Sequence, residues 1–187
     1  MEEYSQPNFY HFSRDSIDLV DFAVTKMKDL SKLNVLDIGA GCGVIGIDFS
    51  QKHESVKSLS LSETQAEFGP YIEQNLKFLS ADILVRIFLG DFFEARFNHS
   101  FDLILCNPPF YPFGGSRACR DANKKKCHSF EGEFYLELFS KVKKLLNKNG
   151  QFFFLGRKDI PFIADLIENK KIQEEKYLGK TSIFGLA

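Results

Sequence analysis

An amide, two prolines and an aromatic ring follow one another at Asn107, Pro108, Pro109 and Phe110, directly after the apolar residues 103–106. Neither proline has a backbone N–H to donate, and each disfavours a helical conformation in the residue before it, so the pattern predicts a strand that ends abruptly. The side-chain oxygen of Asn107 and the carbonyl oxygen of Pro108 can both accept hydrogen bonds from one planar NH2 group, and Phe110 offers a face on which a flat ring can stack. The pattern therefore indicates a site for an aromatic amine or an amide nitrogen, with a plain turn as the alternative interpretation.

A glycine-rich turn stands upstream of this motif. Residues 35–38 form an apolar run that includes Asp37, and Gly39, Gly41 and Gly43 follow at close spacing. A buried strand that runs into glycines and then into a helix lets the backbone approach a nucleotide cofactor closely, with the helix N-terminus facing it. By itself this turn is weak evidence, but it makes Asp37, Gly39 and Gly41 candidate cofactor-binding residues.

Two further acidic residues are expected at the ends of strands. Residues 56–61 predict a second strand, and Glu63 follows it about twenty residues beyond the glycines, where a carboxylate can accept hydrogen bonds from both ribose hydroxyls of an adenosine. Residues 85–89 predict a third strand, after which Asp91 could accept from an adenine amino group while Phe92 lies against the ring. The alternatives are a solvated glutamate at a helix start and an ordinary Gly-Asp turn.

Strands and helices alternate along the whole chain. Helical spacing or favourable ends predict helices over residues 17–30, 43–51, 70–79, 134–150 and 161–168, with Asn149-Gly150 as the stop of the fourth. Residues 101–106 and 152–155 predict the fourth and fifth strands, and two short strands follow. This order predicts an α/β fold with a doubly wound, mostly parallel seven-stranded sheet, helices on both faces and ligands at the carboxyl ends of the strands. We expect a single domain over residues 1–187, with an N-terminal loop and helix at 4–30 and a basic substrate loop at 111–130.

The clearest change in composition is a basic segment. It contains one acid, Asp121, and five basic residues, namely Arg117, Arg120, Lys124, Lys125 and Lys126. A long charged loop beside a presumed active site is usually functional or disordered, and this one has the composition of a phosphate clamp. The alternative is a solvated loop without a binding role.

Composition excludes several classes of protein. The formal net charge of −1 provides no global attraction to nucleic acid or membrane, and no apolar run is long enough to span a bilayer, so we expect a soluble cytoplasmic protein. The four cysteines lack Cys-x-x-Cys spacing and are expected to be reduced thiols. Cys119, Cys127 and His128 fit no familiar zinc pattern, so no metal is expected. The sequence predicts no oligomeric state.

The glycine turn followed by Asn-Pro-Pro-Phe after the fourth strand resembles the class I S-adenosylmethionine-dependent methyltransferases that act on amino or amide nitrogen. Three details resemble the bacterial tRNA (adenine-N6) methyltransferases acting on valine tRNA: residues 6–15 before the first helix, the lack of a large accessory domain, and a Gly/Arg-rich loop after the motif. The resemblance implies S-adenosylmethionine as cofactor, an adenine in tRNA as substrate, and catalytic roles for Asn107, Pro108 and Phe110, with Asn107 also beside the cofactor. Residues 126–131 depart from the Ala-Arg-His-Glu-like run common in that family.

Other families share the Asn-Pro-Pro-aromatic motif. Release-factor glutamine methyltransferases usually carry a separate helical domain before the glycine strand, and guanine-modifying rRNA methyltransferases usually have a duplicated domain. Both, together with adenine-modifying rRNA methyltransferases, stay open as alternatives. A nicotinamide-dependent oxidoreductase or a nucleotide-binding module without catalysis is the alternative from a different class, and it leaves Asn-Pro-Pro-Phe without a role.

Overall fold

A computed structural model describes residues 4–28, 30–112, 129–130 and 133–186. The basic segment, with Arg117, Arg120, Lys124, Lys125 and Lys126, lies outside the described residues, as do Cys119, Cys127 and His128. No helix within the described ranges is long and apolar enough to cross a membrane.

Helices and strands alternate through most of the described chain. The helices are α1 (Arg14–Met27), α2 (Val44–Lys52), α3 (Gly69–Asn75), α4 (Phe134–Leu145) and α5 (Pro161–Glu168). The strands are β1 (Leu33–Ile38), β2 (Val56–Glu63), β3 (Leu84–Leu89), β4 (Phe101–Cys106), β5 (Tyr111–Pro112), β6 (Ser129–Phe130), β7 (Leu146–Gly156), β8 (Ile172–Tyr177) and β9 (Ser182–Leu186). Short 3-10 turns at Ala66–Phe68 and Leu76–Phe78 flank α3.

Seven of the strands form one sheet in the order β3-β2-β1-β4-β7-β9-β8. The pairs from β3 to β7 are parallel, whereas β9 is antiparallel to both β7 and β8. The expected doubly wound, mostly parallel sheet is therefore confirmed. β5 and β6 form a separate parallel pair.

Alternate residues of the central strands pack into two hydrophobic cores, one on each face of the sheet. Val35, Leu103 and Leu105 pack with residues of α1 and α2, while Leu36 and Ile104 pack with residues of α4 and α5. Because both faces are covered, β4 can be a nearly continuous apolar run rather than an alternating one. This burial holds the carboxyl ends of β1 and β4 side by side.

The helix expected to end at Asn149-Gly150 ends earlier. α4 stops at Leu145, and Gly150 lies inside the long strand β7. A Cβ atom on Gly150 would lie 2.7 Å from the carbonyl oxygen of Phe101 in β4. Gly150 is therefore required by the close approach of two strands, which a local pattern cannot distinguish from a helix stop.

We expect Gly150→Ala to lower the free energy of unfolding by about 1–3 kcal/mol, because the added methyl must push the β4 backbone away. Urea unfolding at equilibrium measures this change. Asn149→Ala is the matched control, since Asn149 is the exposed neighbour and should change stability by about 0.5 kcal/mol or less. Equal midpoints for Gly150→Ala and the parent would contradict this account of the glycine.

Candidate active site at the carboxyl edge of the sheet

The glycine turn and Asn107 leave the sheet from adjacent positions. Ile38, the last residue of β1, pairs with Cys106, the last residue of β4. Gly39 and Asn107 therefore follow side by side at the carboxyl edge. The helices that succeed β1 and β4 lie on opposite faces, so a crevice opens between these two strands, as it does where ligands bind in doubly wound sheets.

Glu63 and Asp91 lie at the same carboxyl edge, in a row with the glycine turn and Asn107. Ser62 pairs with Ile38, so Glu63 at the end of β2 is level with the glycine turn, and Glu63 itself pairs with Leu89 at the end of β3. The amide of Gly90 donates to the carbonyl oxygen of Glu63 at 2.9 Å, which places Asp91 next in line. With strands about 4.8 Å apart, the row from the end of β3 to the end of β4 spans roughly 15 Å.

The glycine turn is built from left-handed backbone. Gly39, Gly41 and Gly43 have φ values of 68°, 55° and 84°. A Cβ atom on Gly39 would meet no atom within 4 Å, so there is open space beside the turn. The turn thus exposes bare backbone to the crevice at the level of Asn107.

Glu63 binds the turn to β2. Its Oε2 accepts from the amide of Gly41 and its Oε1 from the amide of Gln65, both at 2.8 Å. Burial raises the pKa of Glu63, and these backbone amides oppose part of that rise. Each carboxylate oxygen retains a second lone pair, so the group can still accept from a ligand hydroxyl.

Asp37 is a second buried acid beneath the turn. Its Oδ2 accepts from the amide of Gly46 at 2.9 Å, and its Oδ1 has no hydrogen-bond partner among the described residues. Burial raises the pKa of Asp37 to about 7, and the negative charge of Glu63 adds to the rise while the Gly46 amide opposes it. The turn is therefore an acidic environment that favours a nearby positive charge.

The loop at Asp91 is shaped by a lysine from α4. The ammonium of Lys141 donates to the carbonyl oxygens of Phe92, Phe93 and Ala95. Asp91 is exposed, and its Oδ1 accepts from the amide of Phe93 at 2.8 Å. The ring of Phe92 is buried in the second core, with the Lys141 ammonium 4.7 Å from its centroid. The expected contacts of Asp91 and Phe92 with an adenine stay predictions.

Asn107 and its neighbours are held from two sides. The Asn107 Nδ2 donates to Ser16 Oγ in α1 at 3.2 Å, and the hydroxyl of Tyr135 in α4 donates to the carbonyl oxygen of Pro109 at 2.9 Å. Pro108 is buried, while Phe110 is half-buried and packs against both cores. The motif is therefore a fixed corner between the two helical layers.

The N-terminal segment lies against the glycine turn. The side chain of Asn75, fully buried at the end of α3, accepts from the amide of Ser5 and donates to the carbonyl oxygens of Ser5 and Cys42. The rings of Phe9 and Tyr10 both meet Phe68 edge-on. A Cβ atom on Gly41 would lie 3.8 Å from both Tyr10 and Phe68, so these rings border the turn.

The sequence matches the methyltransferase small domain family over residues 5–181. This chain belongs to that family. The match confirms the expected methyltransferase class, whose cofactor is S-adenosylmethionine.

Relatives of this methyltransferase domain carry different substrate names. The chain is 26% identical over 133 residues to the tRNA1(Val) (adenine(37)-N6)-methyltransferase of Actinobacillus pleuropneumoniae, a match that covers 71% of this chain and 53% of that protein. It is 32% identical over 102 residues to the release factor glutamine methyltransferase of Lactococcus lactis, covering 51% of this chain and 34% of that protein. The chain thus spans about half the length, or less, of these two relatives.

Among solved structures, the fold is similar to that of the T. thermophilus 16S rRNA N2 G1207 methyltransferase in complex with AdoMet and guanosine. The TM-score is 0.69 at 18% identity, and the match covers 94% of this chain and 43% of that one. At this identity the likeness bears on the fold, which agrees with the seven-stranded sheet described above.

The thiols of this methyltransferase domain that the structure describes are not nucleophiles. Cys42 and Cys106 are free and buried, and burial raises the pKa of Cys42 to about 12 and that of Cys106 well above its ordinary value. Both therefore remain protonated at neutral pH. Over the described ranges, no three His, Cys, Asp or Glu side chains group as metal ligands.

Sequence reasoning missed four residues that shape the site: Ser16, Asn75, Tyr135 and Lys141. Two of them left a signal, because Ser16 and Asn75 are polar residues on buried helix faces. Ser16 stands in the same spacing as Leu19, Val20 and Ala23, which marks the core side of α1. A buried polar side chain requires a partner, and here the partners include Asn107 for Ser16 and the Cys42 carbonyl oxygen of the glycine turn for Asn75.

The raised pKa of Asp37 predicts a pH dependence of stability. The folded-state pKa of about 7 exceeds the ordinary value of 3.8, so the stability that protonation contributes is fully present below pH 3.8 and is lost as the pH rises through 7. From about pH 5 to about pH 8, the free energy of unfolding should therefore fall by on the order of 3 kcal/mol relative to Asp37→Asn, which cannot ionise. Urea titrations of both proteins across this range measure the difference, in which titrating groups that do not interact with Asp37 cancel. Parallel stability curves would show that Asp37 does not titrate in this way.

Proposed function

We propose that this domain transfers a methyl group from S-adenosylmethionine to the exocyclic amino nitrogen of an adenine in tRNA. The observation that carries the proposal is the pairing of Ile38 with Cys106, which sets Asn107 beside the glycine turn at one crevice. A cofactor held at the turn would then have its methyl group next to an acceptor for an NH2 group.

The row of motif residues suits S-adenosylmethionine. Its adenine would lie near Asp91, its ribose hydroxyls would donate to Glu63, and its methionine portion would follow the turn at Gly39 and Gly41. The roughly 15 Å of this row accommodates an extended nucleoside with an amino-acid tail. The buried carboxyl groups of Asp37 and Glu63 favour the positive charges of its sulfonium and ammonium groups.

The chemistry requires positioning more than acid or base catalysis. When bound, S-adenosylmethionine would supply a methyl group that its sulfonium already activates: the methyl carbon–sulfur bond would break as the carbon–nitrogen bond forms, leaving a neutral thioether, and the methylated nitrogen would lose one proton to solvent. An adenine amino group is a poor nucleophile, because its lone pair is delocalised into the ring. Hydrogen bonds from that NH2 to the Asn107 side chain and the Pro108 carbonyl would favour a more tetrahedral nitrogen, with its lone pair aimed at the methyl group. Phe110 would hold the base by stacking, and in-line positioning can supply several of the ~7–11 kcal/mol available from orientation.

Two observations support tRNA as the substrate. The first relative named above modifies adenine in a valine tRNA and matches 71% of this chain. The sequence also places Arg117, Arg120, Lys124, Lys125 and Lys126 soon after Asn107 in a chain of formal net charge −1. A basic segment that follows Asn107 so closely in sequence can bind phosphates, and a base in a loop can be splayed out into a pocket that a base inside a helix cannot reach.

A release-factor glutamine is the second candidate substrate. The relative with that activity is 32% identical, although over only 51% of this chain. Its acceptor is an amide nitrogen, and the hydrogen-bond acceptors at Asn107 and Pro108 suit that group as well as an aromatic amine. An rRNA base is a further alternative, because relatives also include rRNA methyltransferases.

Asn107→Ala tests the catalytic role. We expect it to lower turnover by on the order of a hundredfold or more, because the target nitrogen loses its hydrogen-bond acceptor, while affinity for S-adenosylmethionine and the melting temperature change little. Radiolabelled methyl transfer and titration calorimetry measure the two quantities. Asn149→Ala, an exposed asparagine at the opposite edge of the sheet, is the matched control and should retain full turnover. A variant that unfolds, or that methylates normally, would leave the motif as a structural turn.

The basic segment predicts salt-sensitive RNA binding. If three or four of its side chains meet phosphates of a single-stranded loop, log affinity should fall against log salt with a slope of about −2 to −3. Replacing Lys124, Lys125 and Lys126 by Ala should flatten this slope by up to about 2. Replacing Lys143, Lys144 and Lys148 removes the same charge from exposed positions at the other edge of the sheet, and it should leave the slope nearly unchanged.

Incubation with labelled cofactor separates the candidate substrates. A valine tRNA transcript, ribosomal RNA and a purified release factor are offered in parallel to the parent protein. Label in N6-methyladenosine from the transcript supports the proposal. Label only in ribosomal RNA or only in protein would replace tRNA by that substrate. Binding of NAD but not of S-adenosylmethionine would overturn the proposed function.

A further inference from the structure

A buried serine in the first helix contacts the amide of the catalytic motif. Ser16 Oγ accepts from Asn107 Nδ2 at 3.2 Å across a sequence separation of 91 residues. The Ser16 residue is only 1% exposed, so its hydroxyl is shielded from water, while Asn107 is partly exposed. It is the one side chain that the described structure gives as a hydrogen-bond partner of Asn107.

The helix that carries Ser16 is fixed on both sides of it. Ser16 lies in the first turn of α1, where its amide donates to the carbonyl oxygen of Ser13 at 3.2 Å. The adjacent Asp15 accepts from the hydroxyl of Thr181, which precedes β9, at 2.5 Å. The next residue, Ile17, is buried in the first core. The Ser16 hydroxyl is therefore held in place relative to the sheet.

The orientation of the Asn107 amide decides what this side chain can do. An asparagine amide has an oxygen that accepts hydrogen bonds and a nitrogen that donates them. A target NH2 group donates, so it requires the oxygen. If the amide turned over, its nitrogen would face the target and two donors would oppose each other. In the structure the nitrogen faces Ser16 Oγ, so this hydrogen bond holds the amide in place with its oxygen on the side away from Ser16.

We propose that Ser16 is a positioning residue, which holds the Asn107 nitrogen so that the Asn107 oxygen faces the amino group to be methylated. This inference rests on the proposed function of the site, and it concerns the same reaction whether the target is an adenine or a glutamine. Ser16 acts through Asn107 and does not itself touch the substrate.

Ser16→Ala should lower kcat about tenfold, the effect of one hydrogen bond lost from the positioning of the nucleophile. The KM for S-adenosylmethionine and the melting temperature should stay near parent values, because the binding turn and the apolar face of α1 are unchanged. Ser16→Thr keeps a hydroxyl and should recover most of the rate. Ser13→Ala is the matched control, since Ser13 is exposed at the start of the same helix and its side chain makes no capping hydrogen bond.

The assay uses labelled S-adenosylmethionine with whichever of the valine tRNA transcript, ribosomal RNA or release factor the parent protein methylates. A kcat of Ser16→Ala within twofold of the parent overturns the proposal. So does an equal loss in Ser16→Ala and Ser16→Thr, since the hydroxyl is then not responsible. A loss of kcat accompanied by a comparable loss of cofactor affinity and melting temperature also overturns it, because the effect is then one of packing.

A substrate-free measurement keeps this inference separate from the proposed function. The side-chain amide resonances of Asn107 can be assigned by their absence in Asn107→Ala. They should shift in Ser16→Ala and remain in place in Ser13→Ala. Unchanged resonances in Ser16→Ala overturn the proposal even if the enzyme is active. If the parent protein methylates none of the three substrates, the proposed function fails while the resonances still decide whether Ser16 holds the amide.

Discussion

The end of β2 holds both the glycine turn that follows β1 and the Asp91 loop that follows β3. The carbonyl oxygen of Ser62 accepts from the amides of Gly39 and Ala40, and the carboxylate of Glu63 accepts from the amide of Gly41. The carbonyl oxygen of Glu63 accepts from Gly90 on the other side. Two consecutive residues thus hold the glycine turn and the Asp91 loop at a fixed separation. A buried carboxylate is unfavourable without such donors, so the turn and Glu63 stabilise each other.

The same arrangement sets the electrostatics of the crevice. Asp37 and Glu63 are both buried, and burial raises the pKa of each. In the protein without a ligand, the cost of ionising these buried carboxyl groups lowers the free energy of unfolding at neutral pH and above. A cation bound at the turn would favour the charged forms and lower both pKa values. The stability lost by burying these carboxylates can therefore be regained when a positively charged ligand binds, and cofactor binding should release a proton from Asp37 near neutral pH.

The layer formed by the N-terminal segment and α1 acts on both halves of the site. Asn75 connects Ser5 to the carbonyl oxygen of Cys42 in the glycine turn, while Ser16 reaches Asn107 at the end of β4. On the opposite face, α4 contributes Tyr135 to the Asn-Pro-Pro-Phe corner and Lys141 to the Asp91 loop. The candidate site residues lie at the ends of strands, and side chains from the helical layers fix their orientation.

The alternation of strands and helices, the fold class and the candidate ligand residues could be predicted from the sequence, because each depends on a local pattern. The apolar run ending at Asn107, the clustered glycines after Asp37 and the buried strand ending near Glu63 are readable without knowing what lies beside them. Gly150 shows the limit of this reasoning. Its neighbours suggested a helix stop, and only the carbonyl oxygen of Phe101, 2.7 Å from where a Cβ atom would lie, explains it.

Tertiary structure alone decided the partners of the site residues. Lys141 and Phe92 are 49 residues apart, and Ser16 and Asn107 are 91 residues apart, so no spacing in the sequence connects them. The register that places Gly39, Glu63 and Asn107 in one row is likewise a property of strand pairing. A hydrogen bond across such separations forms only once the sheet and its helices have packed. The sequence determined which groups are available for chemistry, and the packed sheet determined which of them face one another.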